Sequence, residues 1–187
     1  KGAMDDTLAM AARMRPVASS TIAPQNGAAY STSGLANVLK QTAHLVRARV
    51  GTQVVTVDLG GWDTHVGQGV TTGLMPSLIS DLSTNVAAFF TDLGALGDTV
   101  TVVTLSEFGR TTRENGGGGT DHGYGSAMFL LGSGVRGGYH GRWPGLQGGP
   151  NTDNDLAVTT EYRNVLSDVV RSRFPTANLS KVFPGHT

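Results

Sequence analysis

Three short segments of this chain carry side chains that could bind one metal ion. The first is G-G-W-D-T-H at residues 60–65, the second is S-E-F-G-R at residues 106–110, and the third contains D-H at residues 121–122. Carboxylate oxygens and imidazole nitrogens suit a divalent metal such as zinc, manganese, magnesium or calcium, depending on the rest of the ligand shell. The predicted ligands are Asp63, His65, Glu107, Asp121 and His122.

The first two segments follow predicted β-strands. Residues 53–59 (Q-V-V-T-V-D-L) and residues 99–105 (T-V-T-V-V-T-L) have the β-branched composition of buried strands. Between them, apolar residues recur at helical spacing from about residue 75 to residue 96. This order predicts a βαβ unit with parallel strands. Because parallel strands place their carboxyl ends at one edge of a sheet, Glu107 is expected beside Asp63 and His65.

The third segment is expected at the same edge for a different reason. Residues 111–125 are polar and glycine-rich and carry no helical pattern, and a third strand is predicted at residues 126–131. A parallel connection needs a crossover of about a dozen residues or more, which is usually helical. Since no helix is predicted here, the third strand should run antiparallel to the second. Asp121 and His122 would then lie at the edge that carries Asp63 and Glu107.

Several of these side chains also have an ordinary structural interpretation. Asp63 could cap the turn that follows it, with His65 as a polar surface residue, and Asp121 could stabilise a turn through its own side chain. Asp121 could also orient a histidine ring instead of binding the ion. We assign Arg110 a catalytic, substrate-binding role, because its planar guanidinium can pair with the oxygens of an anion. A salt bridge at the sheet edge is the alternative for Arg110.

The rest of the chain is predicted to be helices and loops. A short helix is expected at residues 5–14, a loop at residues 16–32, and a helix from its N-cap Ser33 to about Arg49. A glycine-rich loop at residues 132–150 precedes a last helix, from Thr159 or Thr160 to about Arg173. We expect two parts: residues 1–32, a helix and linker that begin with a possible tag remnant, and residues 33–187, an α/β domain.

The composition argues against two classes of partner. The 187 residues include 14 Lys and Arg and 14 Asp and Glu, so the formal net charge is zero and lacks the basic excess of nucleic-acid and membrane-surface proteins. No apolar run reaches the length of a transmembrane helix. With no cysteine, the chain has no disulfide and no thiolate metal site. We therefore expect no nucleic-acid partner and no membrane insertion.

The motifs together resemble a known family. They are G-G-W-D-T-H at residues 60–65, S-E-F-G-R-T at residues 106–111 and G-G-T-D-H-G at residues 118–123, followed by M-F-L-L-G-S-G-V-R-G-G at residues 128–138. In this order they are similar to the domain-of-unknown-function-1501 family of the alkaline phosphatase and sulfatase superfamily. The resemblance implies an α/β three-layer sandwich with a mixed, mostly parallel sheet and flanking helices. This chain would be the C-terminal half of that fold.

The resemblance also implies a chemistry. In the superfamily, an Asp and a His after one strand and a later His usually hold one metal, and Asp63, His65 and His122 match these positions. Glu107-Phe108 stands where the superfamily has an Asp-His pair for a second metal, so only the carboxylate is retained. The implied function is metal-dependent hydrolysis of phosphate or sulfate esters by an exported protein, periplasmic or extracellular. Because the superfamily's nucleophile lies on an earlier strand, this chain alone is expected to be inactive.

Two other functions stay open. The chain could be an exported, envelope-associated binding module with a structural or vestigial metal site, or its polar edge could bind a carbohydrate or an anion without metal. For the hydrolase, the expected partner is a small anionic ester. An unpaired edge in a three-stranded sheet also predicts association through that edge, either as a homodimer or as aggregates.

Overall fold

The chain divides into two units, Lys1–Val100 and Thr101–Thr187, and the computed structural model describes residues 2–146 and 156–186 of it. The helices of the first unit are α1 (Gly2–Ala18), α2 (Gly34–Ala48) and α3 (Leu74–Leu93), followed by a 3-10 helix at Gly94–Thr99. The elements of the second unit are β1 (Thr101–Val103), β2 (Gly109–Arg110), β3 (His122–Gly123), β4 (Leu130–Gly132), α4 (Tyr162–Arg173) and α5 (Leu179–Val182). The predicted boundary after residue 32 stays a prediction.

Helices α2 and α3 pack against each other and form the core of the first unit. The hydroxyl of Ser33 accepts a hydrogen bond from the amide of Ala36 at 3.1 Å, which confirms the predicted N-cap of α2. The helices predicted from Ser33 to about Arg49 and from about residue 75 to residue 96 are confirmed as α2 and α3, and each buries apolar residues at helical spacing. The buried apolar residues are Leu35, Ala36, Leu39, Ala43, Val50, Val86, Ala88, Phe89 and Leu93.

Buried polar side chains tie the loop between α1 and α2 to α3. Asp92 is fully buried and accepts hydrogen bonds from the amide of Gln25 at 2.8 Å and the hydroxyl of Tyr30 at 2.9 Å. Its carboxylate also pairs with Arg47 of α2. Asn85, likewise fully buried, accepts a hydrogen bond from the same loop at 3.0 Å. The loop is therefore held by side chains of α2 and α3 rather than by regular structure.

The predicted βαβ unit is wrong. Residues 53–59 are not part of a strand, and Val54 is 69% exposed. The strands in the described part of the chain form two sheets of two strands each, and both sheets are antiparallel. A β-branched run favours extended backbone, but it becomes a strand only where a neighbouring strand completes the ladder. The described fold is a mixture of helices and small antiparallel sheets, without the mostly parallel sandwich that the resemblance implied.

One strand pairing is confirmed. β1 lies within the second predicted strand, and β4 overlaps the end of the third. The two strands pair antiparallel, with Thr101 opposite Gly132. The guanidinium of Arg173 in α4 donates hydrogen bonds to the hydroxyl of Thr101 and the carbonyl of Ser133, both at 2.7 Å. Helix α4 is thereby fixed to the end of this sheet. The predicted homodimer through a sheet edge stays a prediction.

Three further features complete the chain. Helix α1 is longer than predicted, contains Pro16 and buries no residue. The predicted loop at residues 132–150 has no helix or strand from residue 133 to residue 146, and residues 147–155 lie outside the described residues. Across residues 2–146 and 156–186, every helix is too short or too polar to cross a membrane.

Candidate metal centre

The first part of the candidate site is a tight turn at residues 62–65. Two backbone hydrogen bonds, each spanning two residues, close this turn: Thr64 to Trp62 at 3.0 Å and His65 to Asp63 at 3.2 Å. Thr64 is 2% exposed, and its hydroxyl donates to the side-chain oxygen of Gln68 at 2.9 Å. Because Thr64 points inward, its neighbours Asp63 and His65 remain accessible on either side of it.

Asp63 and His65 contact each other directly. Nε2 of His65 lies 2.9 Å from Oδ1 of Asp63, and the two side chains are 39% and 54% exposed, respectively. Two ligands bound to one ion at about 2.1 Å are about 3.0 Å apart in adjacent octahedral positions and about 3.4 Å apart in a tetrahedron. The 2.9 Å between Nε2 of His65 and Oδ1 of Asp63 is close to the separation of two adjacent octahedral ligands. The same separation also fits a hydrogen bond between the imidazole and the carboxylate.

The loop after this turn is shaped by a glycine. Gly69 has a φ of +74°, and a Cβ there would lie 1.9 Å from the carbonyl oxygen of Thr72. The amide of Met75 donates to the carbonyl of Gln68 at 2.9 Å. The loop therefore folds back onto the start of α3, and Gln68 is held where it can bind Thr64.

The second part of the candidate site is the hairpin formed by β2 and β3. Gly109 pairs with Gly123, and Arg110 pairs with His122. Gly109 is buried, and a Cβ there would lie 2.2 Å from the carbonyl oxygen of Gly125, so the backbones approach too closely for any other residue. Directly opposed residues of an antiparallel pair project to the same face. Arg110 and His122 therefore share one face of the hairpin.

Phe108 contacts both of these side chains. Its ring and that of His122 are stacked, with centroids 3.9 Å apart and planes inclined by 17°. Cζ of Arg110 lies 5.3 Å from the centroid of the Phe108 ring, within the range of a cation–π interaction. Nη1 of Arg110 donates to the carbonyl of Thr120 at 2.7 Å. The predicted ligand and the predicted substrate-binding residue thus share an aromatic neighbour.

Asp121 is placed by Asn115. Nδ2 of Asn115 donates to Oδ1 of Asp121 at 2.8 Å. Oδ1 of Asn115 accepts hydrogen bonds from the amides of Gly117 at 2.8 Å and Gly119 at 3.1 Å. The glycine-rich loop folds around the side-chain amide of Asn115. The turn-stabilising role that the sequence suggested for Asp121 is thus also filled by Asn115.

The predicted site residues therefore fall into two local groups. Asp63 and His65 contact each other in the first unit, while Arg110 and His122 share a hairpin face in the second. Glu107 is exposed between β1 and β2. The assignment of a shared ligand set stays a prediction.

Sequence reasoning missed four residues that shape these groups. Thr64 and Gln68 fix the turn, Phe108 stacks on His122, and Asn115 orients Asp121. For Asn115 a signal was present, because Asn before a run of glycines favours a turn stabilised by its side chain. No sequence signal indicated the contact between Phe108 and His122, since it depends on the pairing of β2 with β3, which have only two residues each.

Among the residues that the structure describes, three ionisable groups have a pKa shifted by their surroundings. The side-chain hydrogen bond from Arg163, assisted by the Arg163 amide, lowers the pKa of Glu161 from 4.5 to about 2, and Glu161 is the N-cap of α4. The same hydrogen bond raises the pKa of Arg163. Burial, and next the hydrogen bond to Asp92, raises the pKa of Tyr30. These contacts stabilise the N-terminus of α4 and the core of the first unit.

A family model described as "Protein of unknown function (DUF1501)" matches residues 4–171 of the chain. Since the match covers most of the sequence, the chain belongs to this family, in agreement with the motifs at residues 60–65, 106–111 and 118–123. No curated protein and no solved structure matches the chain.

Proposed function

We propose that this member of the family is a metal-dependent hydrolase of phosphate or sulfate esters, in which Asp63, His65 and His122 are ligands of one divalent ion. The observation that carries the proposal is the 2.9 Å separation between the Asp63 carboxylate and the His65 imidazole. With His122, the set offers one carboxylate oxygen and two imidazole nitrogens. This donor set suits zinc or manganese better than calcium, which prefers oxygen ligands alone.

Each remaining candidate has a role in this proposal. A bound ion supplies Lewis-acid stabilisation of the charge that develops on an ester oxygen. Arg110 shares a face with His122 and would pair its guanidinium with a non-bridging oxygen of the same anion. Glu107 and Asp121 are proposed as further ligands, or in the case of Asp121 as the group that orients a histidine ring.

The likeness of the motifs to the alkaline phosphatase and sulfatase superfamily supports the ester substrate and an exported location. We assign no nucleophile among these residues. The first test is therefore metal binding, and turnover is measured second.

The test is a titration of the chelator-treated full chain with zinc and with manganese by calorimetry. We expect one tightly bound ion per chain, and at least about a 10-fold loss of affinity in Asp63→Asn and in His122→Gln. The matched controls are Asp168→Asn, which changes an exposed carboxylate of α4, and His44→Gln, which changes an imidazole bonded to Ser20. Wild-type protein that binds neither metal, or site variants that bind like the controls, would contradict the proposal.

An exported, envelope-associated binding module with a metal site is the second candidate. The identity of Phe108 favours it, because the superfamily that the motifs resemble has a histidine ligand for a second metal where this chain has Phe108. Release of phenol from aryl phosphate and aryl sulfate esters, measured with zinc-loaded protein that includes any sequence preceding this chain, separates the two functions. Metal binding with no turnover would favour the module.

A further inference from the structure

The stacking of Phe108 on His122 has a consequence for how the histidine can bind an ion. Metal bonds and hydrogen bonds of an imidazole lie in the plane of its ring. A neighbour stacked on the face of the ring, at 3.9 Å and with planes 17° apart, does not itself occupy the edge of the ring where the nitrogens lie. The same contact restricts rotation of an exposed side chain that would otherwise sample several orientations.

We infer that Phe108 is a positioning residue, which fixes the imidazole of His122 and the guanidinium of Arg110 in the orientations that bind a metal ion and its anionic ligand. The role in metal binding rests on the proposed function. The stacking itself is independent of that proposal.

The backbone around Phe108 supports this role. Gly109 follows it and is pressed against the carbonyl of Gly125, so the backbone that carries the Phe108 ring has little freedom. His122 is fixed opposite Arg110 by the ladder. Because the backbone of both strands is rigid, the contact between the Phe108 and His122 rings holds the imidazole in one orientation.

A simple packing role is the alternative, and the choice of substitutions separates the two. Leucine would fill much of the same space but has no flat face to stack on an imidazole, whereas tyrosine keeps the face. Phe108→Leu should therefore free the His122 ring, and Phe108→Tyr should preserve its orientation. Phe129→Leu is the matched control, because Phe129 belongs to the same unit and is 59% exposed.

The first measurement is the proton NMR spectrum of the histidine rings in the metal-free full chain, with the His122 signals assigned by His122→Gln. Stacking on Phe108 should move them upfield of the signals of His44 and His140. Phe108→Leu should abolish this displacement, while Phe108→Tyr and Phe129→Leu should retain it. Wild-type His122 signals without an upfield displacement would overturn the inference, even if Phe108→Leu failed to fold.

The second measurement is zinc affinity by calorimetry in the same variants. We expect Phe108→Leu to bind zinc about 10-fold more weakly than wild type, with Phe108→Tyr and Phe129→Leu close to wild type. Unchanged affinity in Phe108→Leu, despite a lost ring displacement, would overturn the positioning role and leave the proposed function intact. Wild-type protein that binds no zinc would instead overturn the proposed function, and the positioning role with it.

Discussion

Asp92→Asn tests how the first unit is held together. Asp92 is fully buried and accepts hydrogen bonds from Gln25 and Tyr30 while it pairs with Arg47. Asparagine keeps the shape and one carbonyl oxygen, which can still bind the amide of Gln25. It removes the negative charge, and the Arg47 side chain, only 13% exposed, loses its counter-ion.

The expected cost follows from that geometry. Removal of one partner from a buried ion pair lowers the free energy of unfolding by about 3–5 kcal/mol, because a charge is left buried and unpaired. Arg47 retains a hydrogen bond to the carbonyl of Ala23 at 3.2 Å and some contact with solvent, so the lower end of this energy range applies. We expect a loss of about 3 kcal/mol, which corresponds to a fall in Tm of about 6–12 °C for a chain of this size.

The assay is urea denaturation followed by tryptophan fluorescence in a Trp143→Phe background. The chain has two tryptophans, so Trp62 of the first unit is then the only one that reports. Asp168→Asn is the control, since that carboxylate is 78% exposed and its loss should change the free energy of unfolding by less than about 0.5 kcal/mol. A loss below about 1 kcal/mol in Asp92→Asn would show that Arg47 finds another partner or solvent, and would refute the reasoning.

Three further predictions concern the second unit. Because the pKa of Glu161 is lowered in the folded chain, its ionised form stabilises the fold above about pH 4.5, and this contribution is lost as pH falls towards 2. Glu161→Gln should therefore flatten the plot of Tm against pH between these two values. An unchanged plot would count against the contact with Arg163. Gly109→Ala should disrupt the hairpin and remove the upfield ring signals of the histidine on β3, whereas retained signals would show that the close backbone approach is wrong. Asn115→Ala should lower stability by about 1–2 kcal/mol and speed amide exchange in the glycine loop, and exchange at the wild-type rate would contradict its role there.

The helices of the first unit could be predicted because their signals are local. The α2 stripe recurs at helical spacing, and Ser33 caps the helix through a contact three residues away. α3 has a comparable stripe, with Val86, Phe89 and Leu93 on its buried face. Neither helix needs information about distant parts of the chain, so a single sequence is enough.

The strands were harder, because a strand is defined by its partner. Residues 53–59 have the composition of a buried strand, yet they form no ladder, and Val54 and Val55 are exposed. β2 and β3 have only two residues each and consist largely of glycine and charged or polar side chains, so no periodicity could reveal them. The antiparallel direction of β1 and β4 was predictable, since a loop without a helix rules out the usual parallel crossover.

The residue types of the candidate site were visible in the sequence, but their local geometry depends on positions that carry no side chain. Arg110 faces His122 because Gly109 lets its strand approach Gly125 at a distance that any Cβ would prevent. The chain contains 27 glycines, but composition alone does not say which glycine is required. If that close approach sets the geometry, Gly109→Ala should free the His122 ring while Asp63 and His65, fixed by a separate turn, keep their own contact.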